Sequence, residues 1–427
     1  MLKETEEFLD FIHNSPSPYH VTENCAEFLR KNDFREISAS DDEICGGGKY
    51  FIRVYGSTLF AFTVGSARGQ LRIAAAHTDF PCLRIKPKAG LEREGYGLLN
   101  IEGYGGLILR SWLDRSLSLA GKVALRGGDV FSLPTKLINI KRPVAVIPSL
   151  AIHFDREVNE KGELNLQKDM LPLALLTKEK EDETAGGDFF LPLLAEELGA
   201  AAEDILSYEL SVYPSEKGTI CGFNDEFVIA PRLDNLTSVW ANLKAVAATA
   251  PKSGIRLAAF FDHEEVGSRT KQGAGSVTLM QTLELIYRRL RLSRDELWHD
   301  LRRGFMLSLD VAHGLHPHHA DKSDPAVKPH LGGGVVIKQA AGQSYVGDAE
   351  AVASVKMLAE DNGIAWQEFV NRADQKGGST LGSVAASFAP IRAMDVGVPV
   401  LAMHSAMETM AADDQTALNN LLRCYFA

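Results

Sequence analysis

The chain has 427 residues, 45% of them hydrophobic, enough to bury a large core and to hold two or three domains. Its formal net charge of −11 argues against nucleic acid or an anionic membrane as partner, because both repel an acidic protein that has no segregated basic face. The densest basic stretch, Tyr287 to Arg291, runs at once into Asp295 and Glu296, as the solvated side of a helix would. Five cysteines without CxxC spacing argue for reduced thiols, the acidic start at Met1 to Glu7 has no signal-peptide pattern, and no apolar run reaches about 18 residues. A cytoplasmic location is the expectation.

In chain order, Glu4 to Leu29 carries apolar residues at helical spacing, interrupted by Ser15-Pro16-Ser17-Pro18, and predicts helix, turn, helix. Leu59 to Val64 and Leu71 to Ala76 predict strands, the second largely buried. From about Ile85 to Phe223 the texture becomes Gly-rich with short alternating runs, one helix near Leu191 to Glu203 and an exposed loop over Leu175 to Asp188. This predicts a β-rich inserted domain, residues 86–223. Beyond Asp225 a regular α/β pattern returns. Strands are expected at Ile255–Phe261, Phe305–Leu309 and Val398–Met403, and helices at Leu236–Ala250, Leu279–Arg289, Ala349–Asn362 and Ser379–Ser387. Residues 1–85 and 224–427 then form one discontinuous catalytic domain of α/β class.

Four motifs follow buried strands: His77-Thr78-Asp79, Asp262-His263-Glu264-Glu265, Asp310-Val311-Ala312-His313 and His404. In open α/β sheets ligands bind beyond the carboxyl ends of strands, so these ends are expected to converge on one crevice. Asp234, opening the helix expected from Leu236, joins them; taken alone it is equally well an N-cap. Two histidines and three carboxylates without cysteine suit two divalent ions, Zn²⁺, Mn²⁺ or Co²⁺, rather than a structural zinc. Two ions roughly 3.5–4 Å apart need a bridging carboxylate, for which Asp234 is the candidate. His77 and Asp310 would complete one ion, Glu265 and His404 the other. Asp79 is placed to accept the His77 imidazole N–H. If the segment is extended, neighbouring Glu264 and Glu265 cannot both face one ion, which leaves Glu264 as a general base.

With these motifs the chain resembles the aspartyl aminopeptidases, two-metal peptidases with an αβα-sandwich catalytic domain. The likeness runs from Phe8-Leu9-Asp10-Phe11 to the last strand. It is most specific at His77 to Arg84, Trp112 to Arg115, Ile147 to His153, Pro231 to Leu236, Phe261 to Ser268, Asp310 to His313 with His316-Pro317, and Met403 to Ser405. The resemblance implies zinc on His77, Asp234, Glu265, Asp310 and His404, and release of single N-terminal residues, typically acidic, through a metal-bridging water activated by Glu264. It further implies Lys338, Tyr345, Gly378 and Ser379 as substrate-binding residues, homo-oligomeric dodecamers assembled through the β-rich domain, and His153 reaching a neighbour's site. The chain departs from the family at Ser323 and Val327, where His is usual, and at Ser344 and Met407, where Arg is usual. The two missing arginines remove cationic donors suited to a carboxylate and bear on substrate preference, not on metal binding.

The sequence therefore points to a metal-dependent aminopeptidase acting on peptides. Its rivals are a deacylase or deblocking hydrolase of the same architecture, and a non-catalytic assembly protein with a vestigial site.

Overall fold

A computed structural model describes residues 2–38, 43–177 and 188–427. The chain divides into two compact units, one comprising Met1–Phe80, Gly218–Met403 and Glu408–Ala427, the other Pro81–Lys217 with His404–Met407.

The first unit is built on a nine-stranded sheet. In spatial order its strands are Arg35–Glu36, Lys49–Val54, Thr58–Val64, Ser253–Phe261, Ala67–His77, Phe305–Leu309, Arg392–Gly397, Val335–Gln339 and Trp366–Val370. The four from Ser253–Phe261 to Arg392–Gly397 run parallel. They are mostly apolar and buried over their central and carboxyl-terminal parts, as strands covered on both faces must be. Alternation assigns the covering layers. Ile73, Ala75, Leu257, Ala259 and Phe261 pack with residues of helices Thr278–Arg289, Arg294–Arg303 and Leu381–Phe388 in one core cluster. The intervening Arg72 and Arg256 donate instead to the carbonyls of Tyr425 and Phe426, and Asn242 of helix Leu233–Ala248 donates to Ala74 O, so that helix and Ala412–Phe426 cover the other face. Three layers, αβα, result.

A second sheet in this unit has five strands, in the order Thr219–Cys221, Phe227–Ala230, Glu408–Ala411, Pro399–Leu401 and Ala312–His313. Here one expectation fails. The run before His404 is not a strand of the main sheet: the chain leaves that sheet at Gly397, and Pro399–Leu401 belongs to the small sheet. An apolar run reports burial, not which sheet it joins.

The second unit holds a six-stranded antiparallel sheet, ordered Thr135–Asn139, Leu117–Leu125, Ile205–Pro214, Cys82–Arg93, Tyr96–Tyr104 and Leu173–Leu176. Gly121 permits its tightest approach, since a Cβ there would lie 2.0 Å from the Glu209 carbonyl oxygen. The helix expected over Leu191 to Glu203 is shorter, Phe190–Leu198, because Gly199 caps it in the left-handed region (φ 61°); a separate turn follows at Ala202–Asp204. The loop expected over 175–188 starts within strand Leu173–Leu176, and its residues 178–187 lie outside the described residues. Among the described residues no helix is long and apolar enough to cross a membrane.

Candidate metal centre

The carboxyl ends of neighbouring parallel strands carry the chemistry in the first unit. His77 is the last residue of Ala67–His77 and pairs in register with Phe261, so Asp262 to Glu265 leave the sheet beside it. Asp310 follows Leu309 one strand further along and donates its N–H to Val396 O at 3.0 Å. Asp234 comes from the start of helix Leu233–Ala248, but it is not helical itself (φ −78°, ψ 104°), nor is Asn235, and the peptide bond between them is cis. Regular helix begins only beyond them. Two hydrogen bonds hold this irregular stretch: Asn235 Nδ2 donates to Leu309 O at 2.8 Å, and Asp234 N donates to Glu408 Oε2 at 3.0 Å.

These placements gather His77, Asp234 and Asp310 so that one ligand atom from each lies within 4.8 Å of the others, and likewise His77, Glu264 and Glu265. His77 is 1% exposed. Its Nε2 stands 3.4 Å from Asp234 Oδ1 and 3.6 Å from Asp310 Oδ1. On the other side of the ring, Nδ1 is 3.0 Å from the backbone carbonyl of Asp79, which can only accept and so fixes the proton on Nδ1. The Asp79 carboxylate is thus not the closest acceptor for the imidazole, as the sequence had suggested. It lies 3.4 Å away, while Oδ1 and Oδ2 accept the N–H groups of Glu264 and Glu265 at 3.1 Å each. Asp79 therefore anchors the two glutamates as well as facing the histidine.

The glutamate pair corrects a second expectation. Glu264–Val266 is a 3₁₀ turn, entered through His263 (φ 63°) and left through Gly267 (φ 97°), so the premise of an extended segment does not hold. In a turn both carboxylates can face His77, and adjacency does not separate ligand from base. Their electrostatic surroundings differ. Burial chiefly pushes the Glu264 carboxyl up, to about 8; His77 opposes this, while Asp310, Asp79 and Asp234 add to it. Burial again leads for Glu265, raised well above the usual range, and Asp234 is its largest charged neighbour. His77 is raised too: burial works against its charged form, but contacts with Asp234, Asp310 and Asp79 outweigh that. Five carboxylates crowd one imidazole here, an arrangement of hard and borderline donors that divalent cations relieve. The donor set fits zinc and also accepts manganese or cobalt.

His404 belongs by its contacts to the second unit. It is left-handed (φ 68°), and its Nδ1 is 2.8 Å from Gly106 O, so the same acceptor logic puts the proton on Nδ1. His153 also lies in the second unit, exposed, in a turn where Phe154 N donates to Ala151 O at 2.8 Å. The stretch leading to His153 forms no regular strand. Ala145 and Val146 make only isolated bridges, and the chain past Pro148 turns without a pairing partner.

Lys338, on Val335–Gln339, is 1% exposed. Its ammonium donates to Asp310 Oδ2 at 3.3 Å and to Val311 O at 3.0 Å, and sits 5.0 Å from the centroid of the Tyr345 ring. Burial disfavours its charge, but Asp310 and then Asp395 overcome this and hold it protonated. Gly378 and Ser379 are exposed on a loop whose next residue, Thr380, donates its N–H to Ser344 O at 3.1 Å, setting the loop beside Tyr345. A cavity of about 690 Å³ is lined by Ser344, Tyr345, Asn371 and Arg372 among others. The larger cavity, about 1010 Å³, opens near Ser253, at the opposite end of its strand from the cluster. Sequence reasoning missed Glu408 and Asn235 as supports of Asp234. Asn235 stands next to a candidate ligand, but nothing local distinguishes Glu408.

A parallel sheet with a carboxylate-rich histidine site at its strand ends defines a metal-dependent hydrolase of αβα architecture. The sequence profile of the "Aminopeptidase I zinc metalloprotease (M18)" family matches residues 11–426, and the chain belongs to this family. It is a metal-dependent aminopeptidase. It is 41% identical over 412 residues to a probable M18 family aminopeptidase 2 of Clostridium acetobutylicum, covering 95% of this chain and 94% of that one. It is 39% identical over 463 residues to aspartyl aminopeptidase 4 of Saccharomyces cerevisiae, covering 99% and 94%. Among solved structures it superposes on a chain of the Ape4 and Nbr1 complex with a TM-score of 0.92 at 33% identity, covering 98% of this chain and 84% of that one. It also superposes on the Saccharomyces cerevisiae mApe1 dodecamer with a TM-score of 0.83 at 25% identity, covering 99% and 95%.

Proposed function

We propose that this aminopeptidase releases single N-terminal residues, with acidic ones preferred, using two divalent ions and Glu264 as general base. The observation that supports this best is the placing of Glu264 in the same group of candidate ligands as the buried His77, with its backbone pinned by Asp79. In this reading Asp234 is shared, His77 and Asp310 serve one ion, and Glu265 and His404 the other, His404 through Nε2. Bound zinc would polarise the scissile carbonyl and make water more acidic. Glu264 takes the proton from the attacking water and delivers it to the departing amine; its raised affinity for protons and its burial suit both steps. Lys338 and Tyr345 supply a cationic, aromatic wall for an acidic side chain.

We further propose that the antiparallel unit mediates homo-oligomerisation, probed most simply against a dodecamer, and that His153 acts on a neighbour's substrate. Its exposure, close to exposed Leu150 and Phe154, supports a role at an interface.

A panel of aminoacyl chromogenic substrates, free and N-acetylated, tests the reading on enzyme that has been chelated and then reloaded with Zn²⁺, Mn²⁺ or Co²⁺. Activity that vanishes on chelation, returns with metal, requires a free amine and is highest on Asp or Glu substrates is the expected result. Equal cleavage of acetylated substrates would favour a deacylase instead, and activity highest on neutral substrates would remove the acidic preference.

A further inference from the structure

The strand Arg392–Gly397 carries a carboxylate that the chemistry above does not use. Asp395 is fully buried in mid-strand, between Phe305–Leu309 and Val335–Gln339. Its Oδ2 accepts two hydrogen bonds from different segments, one from Val346 N at 2.5 Å and one from Thr380 Oγ1 at 2.8 Å. The same strand returns a bond, Asp395 N donating to Val346 O at 3.1 Å, and Thr380 N closes the arrangement on Ser344 O at 3.1 Å. Three pieces of chain distant in sequence are thereby tied at one oxygen atom.

Burying an ionised carboxylate is costly even with the Lys338 ammonium near it, and an apolar side chain of similar volume is often at least as stable in such a position. Stability alone is therefore a poor reason for Asp395. What it holds is more specific. Val346 follows Tyr345, and Thr380 follows Ser379, so one oxygen binds the neighbours of two residues assigned above to the substrate pocket. The backbone bond from Thr380 N to Ser344 O joins the two segments to each other, and Asp395 adds what that bond does not, a side-chain tie of both to the sheet.

We infer that Asp395 is a positioning residue for the substrate pocket, holding the Tyr345 and Ser379 segments to the sheet through Oδ2; this rests on the reading of those residues as substrate-binding. Removing the acceptor loosens both segments, which keep only their backbone bonds, weakens substrate binding and leaves the metal cluster intact.

The test is steady-state kinetics of Asp395→Ala, Asp395→Asn and Thr380→Val on acidic and neutral aminoacyl substrates, with metal content and thermal midpoint measured on each. Asp395→Ala should raise KM by about tenfold with kcat little changed, since two buried donors lose their acceptor. Asn retains a carbonyl oxygen that can accept both bonds and should recover most of that loss. Thr380→Val, which removes one donor and keeps the shape, should raise KM by about threefold. A native-like Asp395→Ala enzyme with unchanged KM overturns the inference, as does an Asn variant no better than Ala. If the Ala variant does not fold, Thr380→Val decides, an unchanged KM there being the refutation. Tyr345→Phe and Ser379→Ala are run alongside. If they shift KM and Asp395→Ala does not, only the role of Asp395 fails; if they too leave KM unchanged, the pocket reading fails with it.

Discussion

Two kinds of carboxylate coexist in the first unit. At the strand ends, Asp79, Asp234, Glu264, Glu265 and Asp310 face one another and a single imidazole, and the glutamates hold their protons far more tightly than usual. Asp395 and Asp414, by contrast, are met by neutral donors: Val346 N and Thr380 Oγ1 for the first, Gly332 N and Gly334 N, at 2.8 Å each, for the second. Both stand only moderately above the ordinary value, at about 6, with burial as the leading cause. The difference teaches what each group is for. Carboxylates that accept from backbone and hydroxyl groups, helped at Asp395 by the Lys338 ammonium, are held by the protein's own groups, whereas carboxylates set against one another call for cations from outside.

The largest effect is expected where that contrast is sharpest. Glu264→Gln keeps size and removes one charge, so it should retain bound metal yet lose about 10²–10⁴-fold in kcat. Metal analysis beside turnover checks this, and full activity with metal bound would end the assignment of Glu264 as base. In the metal-free cluster Glu264 is forced to hold a proton that the unfolded chain releases, and a neutral Gln does not carry that cost, so near neutral pH the metal-free variant should melt higher than the metal-free parent.

Next comes His153, which the comparison leaves outside both classes. As a donor to the developing oxyanion it is worth roughly 10²–10³-fold in kcat, so His153→Ala should lose that much. Co-assembly of inactive His153→Ala with inactive Glu264→Gln should restore partial activity, because some sites then combine an intact Glu264 with a neighbour's His153. Mixed oligomers that remain inactive would confine His153 to its own subunit.

Asp414 probes the satisfied class. Its carboxyl titrates at about 6 in the folded chain against an ordinary 3.8, so the folded state binds this proton more tightly. The resulting stabilisation is fully present below about pH 4 and is lost as pH rises through about 6, by at most about 3 kcal/mol. Urea unfolding of the protein and of Asp414→Asn across that range should show a shallower pH dependence in the variant. Parallel profiles would contradict the tight proton binding.

The smallest effect concerns substrate preference. Lys338→Met should lower the ratio of acidic to neutral substrate turnover by about tenfold, the loss of one charge-assisted contact. It should also loosen Asp310, which shares the ammonium, so metal affinity is measured in the same variant. An unchanged ratio would leave Lys338 as a support for Asp310 and not a specificity group.

Much of the architecture was legible without coordinates. Runs such as Leu71 to Ala76 and Ile255 to Phe261, short and apolar but for one arginine each, read as strands covered on both faces, and the polar residues that end them stand out for that reason. Local logic failed where conformation was assumed. Glu264 and Glu265 turn instead of extending, and the strand before His404 joins a different sheet, while Asp79 faces His77 as expected and also takes up the backbone of both glutamates.

What the sequence determined by itself was the inventory: which donors exist, which strands bring them to an edge, and the family whose pattern they match. What tertiary structure decided was proximity. Asp79 reaches the amide of Glu264 across 185 residues, Asn235 holds the end of the Asp310 strand across 74, and Glu408 holds Asp234 across 174. Such contacts follow from sheet order and register, which depend on the packing of the whole chain and leave no mark in the residues on either side of any one of them.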